Sequence, residues 1–289
     1  MKSSFEVYHI DSFTNKPFSG NPAGVMFASN LSSEFMQKIA REINLSETAF
    51  LSKSKNADYL LRWFTPKTEV DLCGHATIAS LHFLFEKGIL KPDSKILFET
   101  RSGNLICGMT ADTYYMQIPV PQIQEYNGCK EDILSLFGLD RVCFDDKIPL
   151  IISQGGYLYI FVNQLADLFA INADIKGLNE ITSKNSSIKA YAVFSTETVE
   201  KSSTAHLRFF APYFGIDEDP GTGSAIGPLI LVMLRAGLIK NHITNKRYMV
   251  EQGDAINRQC RVQVSFDETK NELMIYAQAV SIIKGELFF

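Results

Sequence analysis

The sequence predicts a mixed α/β (α+β) fold of two similar halves, each with strands arranged around one central apolar helix. Residues 74–90 and 223–234 each open with small polar residues and continue as runs that are apolar on nearly every helical face. A helix without a polar face has no solvent side and must be buried. Strand-like segments come before and after each helix, and short motifs recur in the same order in both halves.

The remaining elements of the first half follow from apolar periodicity and from turn-forming residues. A helix should begin after Ser32 or Ser33, bury Phe35, Met36, Ile39, Ala40 and Ile43, and stop near Asn44. Residues 15–24 are dense in turn formers and are predicted to be a loop. Strands are predicted, in chain order, at residues 5–13, 45–51, 60–64, 96–99, 105–109 and 114–118.

The second half is predicted to follow a connector, Pro119-Val120-Pro121. A helix at 131–137 opens it, and Pro228 is expected in the first turn of the second apolar helix. Strands are predicted at residues 157–162, 191–194 and 206–210, with one or two more at 273–289. The domain prediction is a first half at 1–119, completed by a strand at 278–289, and a second half at 120–277.

An internal repeat links the two halves. Arg62-Trp63-Phe64-Thr65-Pro66 returns as Arg208-Phe209-Phe210-Ala211-Pro212 at an offset of 146 residues, and Gly74-His75-Ala76 returns as Gly223-Ser224-Ala225 at 149. Phe50 and Phe194 differ by 144, and Gly103 and Gly253 by 150. The offset grows steadily along the chain, as a tandem duplication with small loop insertions would produce.

Composition excludes several functional classes. The 289 residues carry a net charge of −4, so there is no basic footprint for nucleic acid or an anionic membrane. No run reaches the roughly 18 apolar residues that span a bilayer, and the first residues lack an apolar signal core. A cytoplasmic protein that acts on a small molecule is the default expectation.

Cysteine and histidine spacing predicts neither a disulfide framework nor a protein metal site. The five cysteines are odd in number and scattered, and only Cys73 and His75 lie close together in the sequence. Residues 221–227 read G-x-G-x-x-x-G, one residue longer than the dinucleotide fingerprint, and acidic residues precede them. We therefore expect no metal and no bound cofactor.

The two helix N-termini are the candidate binding positions. Free backbone N–H groups and the positive end of the helix dipole favour a carboxylate there, next to Gly74 and Gly223. If the two halves face one cleft, both could hold one small anionic substrate. The repeat breaks where His75 aligns with Ser224 and where Glu47, at an offset of 144, aligns with Tyr191. Such departures from an internal template indicate added chemistry.

Specific motifs along nearly the whole chain carry a family resemblance. They are Asp11-Ser12-Phe13-Thr14, Phe18-Ser19-Gly20-Asn21-Pro22-Ala23, Ser46-Glu47-Thr48-Ala49-Phe50, residues 71–77, residues 218–225, Gln252-Gly253 and Gly285-Glu286-Leu287. In this order and spacing the chain resembles the PhzF-like proteins, named after the phenazine biosynthesis isomerase PhzF. The resemblance implies the diaminopimelate epimerase-like fold, two pseudo-symmetric halves that are each a mostly antiparallel barrel-like sheet around a central apolar helix.

The resemblance also implies a function. It implies cofactor-independent proton transfer on a small, cyclic or amino carboxylate in the cleft between the halves, usually in a homodimer. By resemblance Glu47, which alone reads as a solvated strand-end carboxylate, is the general acid/base, and we expect burial to raise its pKa. His75, Asp219 and Ser224 would contact the substrate. Arg258-Gln259 departs from the Arg-Pro that is common in the family.

Two other functions stay open at this stage. The protein could keep the fold as a catalytically silent small-molecule binding or interaction protein. It could instead be a thiol-based epimerase, but such enzymes use two facing cysteines, and Cys73 aligns with Thr222. The only cysteine near the second helix is Cys260, which lies well downstream. We therefore expect Cys73 to be a small buried residue.

Overall fold

The computed structural model describes residues 4–240 and 242–288. The chain divides into two compact units, which are Met1–Ile118 with Met274–Phe289, and Pro119–Leu273. Among the described residues, no helix is long and apolar enough to cross a membrane.

Within its described residues, the first unit contains two helices, α1 (Ser33–Ile43) and α2 (Gly74–Glu86). Its first eight strands are β1 (Ser4–Ser12), β2 (Asn21–Phe27), β3 (Glu47–Lys53), β4 (Tyr59–Phe64), β5 (Glu69–Val70), β6 (Ser94–Thr100), β7 (Gly103–Met109) and β8 (Tyr114–Ile118). The predicted loop at 15–24 is wrong from Asn21 onward. Its last residues form β2, because both β1 and β3 pair with that segment.

The second unit contains the helices α3 (Lys130–Leu134), α4 (Leu165–Ala170), α5 (Ile175–Lys184) and α6 (Gly223–Arg235). Its strands are β9 (Ile123–Glu125), β10 (Ile151–Ser153), β11 (Tyr157–Phe161), β12 (Ala190–Ser195), β13 (Ala205–Ala211), β14 (Ile216–Asp219), β15 (Tyr248–Gln252) and β16 (Cys260–Asp267). The tail forms two strands, β17 (Glu272–Ala277) and β18 (Ala279–Phe288), and β18 pairs with β1.

Helix α1 shows how local sequence sets an element. The Ser32 side chain accepts a hydrogen bond from the Phe35 N–H, which satisfies one of the free donors at the helix start. Asn44 takes the left-handed conformation with φ +54° and ends the helix, as predicted. The buried face contains Met36, Ile39 and Ala40.

Helix α2 is the core of the first unit. Ten of its 13 residues are buried, and it packs against β1, β2, β3, β7, β8 and β18. The Thr77 and Ser80 hydroxyls donate to the carbonyls of Cys73 and Ala76, so these polar groups are satisfied within the helix. The helix begins at Gly74 and ends at Glu86, four residues before the predicted end, and Gly88 then reverses the chain at φ +69°.

Helix α6 repeats this arrangement in the second unit. It also has 13 residues and ten of them are buried. Pro228 is the sixth residue of the helix, so the predicted position in the first turn is wrong. A residue at that point would bond to the carbonyl of Ser224, four residues earlier, and proline cannot do so. The loss is confined to one carbonyl close to the helix start.

The two units share one pattern of strand pairing, which agrees with the predicted repeat. In the first unit β2–β3 and β4–β6 are parallel, whereas β3–β4 and β6–β7 are antiparallel. The second unit repeats each relation, with β11–β12 and β13–β15 parallel and β12–β13 and β15–β16 antiparallel. Antiparallel pairs also include β1–β18, β1–β2, β4–β5 and β7–β8 in the first unit and β9–β10, β10–β11 and β13–β14 in the second, so the sheets are mostly antiparallel as predicted.

A duplicated ion pair accounts for the Arg motif of the repeat. Arg62 donates two hydrogen bonds to Glu69, at 2.7 and 2.8 Å, and its guanidinium lies 5.1 Å from the centre of the Phe64 ring. Arg208 binds Glu218 through the same two atoms at 2.8 and 2.7 Å and lies 5.1 Å from the Phe210 ring. The bidentate geometry is the strongest that an arginine makes with a carboxylate.

The sequence did not predict seven elements of the second unit, which are the helices α4 and α5 and the strands β9, β10, β14, β15 and β16. Helix α5 begins after an N-cap residue that the sequence could have indicated, since the Asp174 carboxylate accepts a hydrogen bond from the Gly177 N–H at 3.0 Å. The predicted helix at 131–137 is shorter than expected, since α3 ends at Leu134 and a single 3₁₀ turn, Ser135–Phe137, follows.

Candidate active site

Glu47 is the first residue of β3, where pairing with Ala23 on β2 fixes its position. Its side chain is only 12% exposed, although a carboxylate at a strand end is usually solvated. Its Oε2 atom lies 3.1 Å from Nε2 of His75 and makes no hydrogen bond of good geometry within the described part of the chain. Glu47 and His75 therefore form a buried ion pair.

His75 is the second residue of α2, and side chains from two other segments hold its ring. The Asn21 Nδ2 atom lies 3.2 Å from Nδ1, and the Ser46 Oγ atom lies 3.1 Å from Nε2. The Phe13 ring packs edge-on at 6.4 Å between centroids, and the Ser12 hydroxyl donates to the His75 carbonyl. The ring is thus fixed in one orientation.

The electrostatics of the pair differ from the prediction. Burial alone would raise the pKa of Glu47, but the imidazolium of His75 and hydrogen bonding together outweigh burial, and the pKa is lowered. Burial would lower the pKa of His75, but the adjacent Cys73 sulfur and Glu47 carboxylate raise it well above its ordinary value. The expected rise in the Glu47 pKa is therefore wrong, because the sequence did not reveal the contact with His75.

Cys73 completes this group. Its sulfur lies 3.6 Å from Nδ1 and 3.9 Å from Nε2 of His75, and the residue is buried. Burial and the charge of Glu47 raise the pKa of the thiol. The ligand atoms of Glu47, Cys73 and His75 all lie within 4.8 Å of one another. Sequence spacing could not show that Glu47 lies next to Cys73 and His75, because Glu47 is on β3 and the other two residues are at the start of α2.

In the second unit, Asp219 ends β14 and is 7% exposed. The Thr222 hydroxyl donates to its carboxylate. The Gln252 amide joins the two residues, since its Nε2 donates to the Asp219 carbonyl at 2.7 Å and its Oε1 accepts from the Thr222 N–H at 3.0 Å. This network fixes the loop ahead of Gly223, where α6 begins.

The first turn of α6 carries Ser224, and its Oγ atom lies 3.3 Å from the Tyr157 hydroxyl. Two positions along β11, Tyr159 donates to the Ala225 carbonyl at 2.9 Å. Neither Tyr157 nor Gln252 was among the predicted site residues. Gln252 was part of the family motif Gln252-Gly253, which was a usable signal, whereas Tyr157 had none beyond its place in a strand.

Strand register corrects the predicted counterpart of Glu47. Arg62 lies opposite Phe50, and Arg208 lies opposite Val193, so the two strands are related by an offset of 143 residues, one less than predicted. Ala190, not Tyr191, therefore matches Glu47. Tyr191 instead points its hydroxyl to the Leu178 carbonyl in the core.

Pairing between β11 and β12 shows that Tyr157 occupies a position matched to one in the first unit. Glu47 pairs with Ala23, and Ala190 pairs with Tyr157, so each unit places one large polar side chain and one alanine at the matched positions. In the first unit the large residue reaches His75, and in the second it reaches Ser224, the repeat partner of His75.

Two further sequence features have a structural account. Arg258 closes the 3₁₀ turn Asp254–Ile256 through a backbone N–H bond to the Gly253 carbonyl at 2.9 Å. Cys260 lies opposite Gln252 on β15, which brings it near the start of α6 despite its distance in sequence. Burial and the charge of Asp219 raise the pKa of its thiol well above the ordinary value.

Comparison with known proteins identifies the family. The model of the phenazine biosynthesis-like protein family matches residues 10–285. The chain is 31% identical to the uncharacterized isomerase YfhB of Bacillus subtilis over 93% of both chains. It is 33% identical to an uncharacterized isomerase of Clostridium acetobutylicum over 99% of both chains.

Solved structures agree with this assignment. A PhzF-family phenazine biosynthesis protein of Bacillus anthracis has a TM-score of 0.90 at 29% identity, covering 99% of this chain and 100% of the other. A hydroxyproline epimerase of Agrobacterium vitis, at 12% identity and a TM-score of 0.61, covers 100% of this chain and 94% of its own and shares the fold. The chain thus belongs to the PhzF-like family of phenazine biosynthesis-like proteins, among whose relatives are several named as isomerases.

Proposed function

We propose that this protein is a cofactor-independent isomerase that moves a proton on a small cyclic or amino carboxylate. The observation that carries the proposal is the buried pair of Glu47 and His75 at the N-terminus of α2. A carboxylate held as an anion beside a fixed imidazolium supplies a proton acceptor and a proton donor within 3.1 Å of each other.

In the proposed reaction, Glu47 removes a proton from a carbon next to a carbonyl or carboxyl group. The His75 imidazolium, directed by Asn21 and Ser46, stabilises the negative charge that develops on the substrate oxygen. Glu47 then returns the proton to a different carbon. One proton leaves the first carbon and one proton is added to the second, so the composition of the substrate is unchanged and no redox partner is needed. The proton exchanges with solvent while Glu47 holds it, so the carbon that receives it takes up solvent deuterium.

The proposed binding groups lie at both helix N-termini. The first residues of α2 and α6, Gly74 and Gly223, follow positions whose side chains make no cap hydrogen bond, so the helix ends are suited to a carboxylate. Asp219 and Ser224 would contact the polar groups of the same substrate. That one substrate meets both helices, in a cleft between the halves, is part of the proposal, and the duplicated sequence supports it.

Two alternatives predict different behaviour. A catalytically silent binding protein would bind such carboxylates without exchanging their protons. A thiol epimerase would need a thiolate, and the pKa of both Cys73 and Cys260 is raised by burial, which disfavours that form. Geometry and charge therefore favour Glu47 over either cysteine as the base.

Solvent-deuterium incorporation into a panel of small cyclic and amino carboxylates tests the proposal. We expect the wild type to exchange at least one compound, and Glu47→Gln to lower the rate about 10³-fold because the proton acceptor is lost. Glu42→Gln, an exposed carboxylate on α1, is the matched control and should keep the wild-type rate. Equal exchange by wild type and Glu47→Gln would refute the role of Glu47.

The pH dependence of exchange tests the charge state. Because the pKa of Glu47 is lowered from 4.5, the base stays ionised down to below that pH. Because the pKa of His75 is raised well above 6.5, the imidazolium persists through neutral pH and is lost only in more alkaline solution. A rate that increases as pH passes upward through 6.5 would show that neutral histidine is the active form.

The resemblance also supports a homodimer, and the five free cysteines agree with a reducing cytoplasm. Sedimentation equilibrium should give twice the mass of one chain, and a single-chain mass would refute the dimer. These two proposals do not affect the chemistry of Glu47.

A further inference from the structure

We propose that Glu47, Cys73 and His75 form a binding site for a thiophilic divalent cation of the zinc class, and that the bound cation inhibits the enzyme. The inhibitory part rests on the proposed function, since the cation would occupy the groups that handle the proton. The binding part rests on geometry alone.

The distances fit a tetrahedral site. With Zn–S of about 2.3 Å and Zn–N and Zn–O of about 2.0–2.2 Å, ligand atoms at tetrahedral angles lie about 3.4 Å (N to O) and about 3.6 Å (N to S) apart. The His75 Nε2 atom lies 3.1 Å from the Glu47 Oε2 atom and 3.9 Å from the Cys73 sulfur. The Cys73 sulfur and the Glu47 carboxylate lie within 4.8 Å of each other, so an approach of at most about 1.2 Å would bring all three atoms onto one cation.

The donor set selects the class of cation. Sulfur and imidazole are soft or borderline ligands that prefer zinc, cobalt and similar ions, whereas Mg²⁺ and Ca²⁺ prefer oxygen atoms alone. A set of one Cys, one His and one Glu leaves the fourth tetrahedral position open, for water or for the Ser46 hydroxyl, which lies 3.1 Å from Nε2 of His75.

The surroundings would hold these ligands in place. Nδ1 of His75 lies 3.2 Å from the Nδ2 atom of Asn21, and a 180° rotation of that amide would place its Oδ1 atom there to accept the Nδ1–H of a metal-binding imidazole. The Glu47 Oε2 atom is buried and lies 3.1 Å from Nε2 of His75, and none of the residues that the structure describes gives it a hydrogen bond of good geometry. Binding would release the Cys73 thiol proton and the His75 Nε2 proton to solvent, and the cation would replace the imidazolium as the countercharge of the Glu47 carboxylate.

Binding of this cation would be incompatible with proton transfer. The Glu47 oxygen that accepts the proton and the His75 nitrogen that donates would both be coordinated to the metal. The predicted effect is therefore inhibition by zinc that a chelator reverses. Removing an inhibitory metal raises activity, whereas removing a catalytic metal would abolish it, so the direction of the change separates the two roles.

Absorption spectroscopy with Co²⁺ tests the site without any substrate. Chelator-treated protein is titrated with Co²⁺, and a thiolate-to-cobalt charge-transfer band in the near ultraviolet should appear and saturate at one equivalent. All samples carry Cys129→Ser, so that this exposed thiol does not bind the probe. Absence of the band at one equivalent would overturn the proposal.

Variants assign the ligands. Cys73→Ser should lose the band, whereas Cys260→Ser, which removes a buried thiol of the other unit, should keep it. Glu47→Gln should keep a band but weaken binding more than tenfold, because one ligand is lost. Far-ultraviolet circular dichroism checks that each variant is folded. A band that persists in Cys73→Ser, or that disappears in Cys260→Ser, would refute the assignment.

The activity arm separates this proposal from the proposed function. Zn²⁺ should lower deuterium exchange more than tenfold, ethylenediaminetetraacetate should restore it, and Mg²⁺ should have no effect. Exchange that increases with Zn²⁺ would overturn the inhibitory role. If no compound is exchanged by the metal-free protein, the proposed function fails while the cobalt band still decides whether the cation site exists.

Discussion

The N-termini of α2 and α6 have the same backbone and opposite chemistry. Both helices start with glycine, have 13 residues and bury ten of them. At α2 the nearby side chains are ionisable, namely Glu47, Cys73 and His75. At α6 they are one carboxylate, Asp219, held by the neutral groups of Thr222 and Gln252, and the hydroxyls of Ser224 and Tyr157.

Under the proposed function, this difference is a division of labour between the two units. A buried acid and base that contact each other can exchange protons, whereas hydroxyl and amide groups at neutral pH recognise and orient a ligand. Glu47 on β3 pairs with Ala23 on β2, whereas Tyr157 on β11 pairs with Ala190 on β12. The large polar side chain therefore comes from the second strand of the pair in the first unit and from the first strand in the second unit.

The largest effect that we predict concerns the duplicated ion pairs. Arg208→Ala should reduce the stability of the second unit by about 4 kcal/mol, because it leaves Glu218 buried and unpaired and also frees the carbonyls of Leu168 and Ile171. Arg62→Ala should cost the first unit only about 2 kcal/mol, because Arg101 remains 3.1 Å from Glu69.

Urea unfolding followed separately in each unit checks this order. Trp63 is the only tryptophan and lies in the first unit, so its fluorescence reports that unit, and hydrogen exchange of β12 and β13 reports the second. Equal losses for the two variants would mean that the extra contacts of Arg208 add nothing to stability.

A second prediction concerns acid stability, for which the second unit has a distinct buried group. Burial opposes the charge of Glu251, but His206 and the N–H groups of Glu200 and Val199 outweigh burial and lower its pKa to about 2. A lowered carboxyl pKa adds stability above the unfolded value of 4.5, which is lost as pH falls from 4.5 towards 2. The contribution is about 3 kcal/mol.

Glu251→Gln should therefore flatten the decline in stability of the second unit between pH 4.5 and pH 2 and leave that of the first unit unchanged. Hydrogen exchange of β15 across this range measures the former, and Trp63 fluorescence measures the latter. An unchanged acid profile in the second unit would show that Glu251 keeps an ordinary pKa.

Local sequence predicted the elements that depend on local signals. The cap at Ser32, the stop at Asn44 and the two apolar helices were all readable, because capping and uniform burial leave clear patterns. Strand β2 was not predictable from local sequence, because Pro22 and Gly24 indicate a turn. Only pairing with β1 and β3 makes this segment a strand. Propensity fails where tertiary pairing decides.

The candidate site shows the same limit. His75 and Ser224 could be selected because they break the repeat at a helix N-terminus, and Glu47 because a family motif contains it. The contact of Glu47 with His75, and hence the direction of both pKa shifts, depends on strand register that no sequence spacing encodes. Tyr157 became visible only when the true offset of 143 replaced the expected 144.

The smallest predicted effect tests whether the Tyr157 hydroxyl binds the substrate, in contrast to Glu47, which transfers the proton. Removing its hydroxyl in Tyr157→Phe should raise KM about tenfold, equivalent to about 1.4 kcal/mol, and change kcat little, because a neutral hydrogen bond is lost and the base remains. Tyr159→Phe is the control on the same strand, since its hydroxyl bonds the Ala225 carbonyl within the core. It should lower stability by about 1 kcal/mol and leave KM within about twofold. If Tyr157→Phe instead lowers kcat as strongly as Glu47→Gln, the second unit supplies a proton-transfer group of its own, and the division of labour between the two helix ends is wrong.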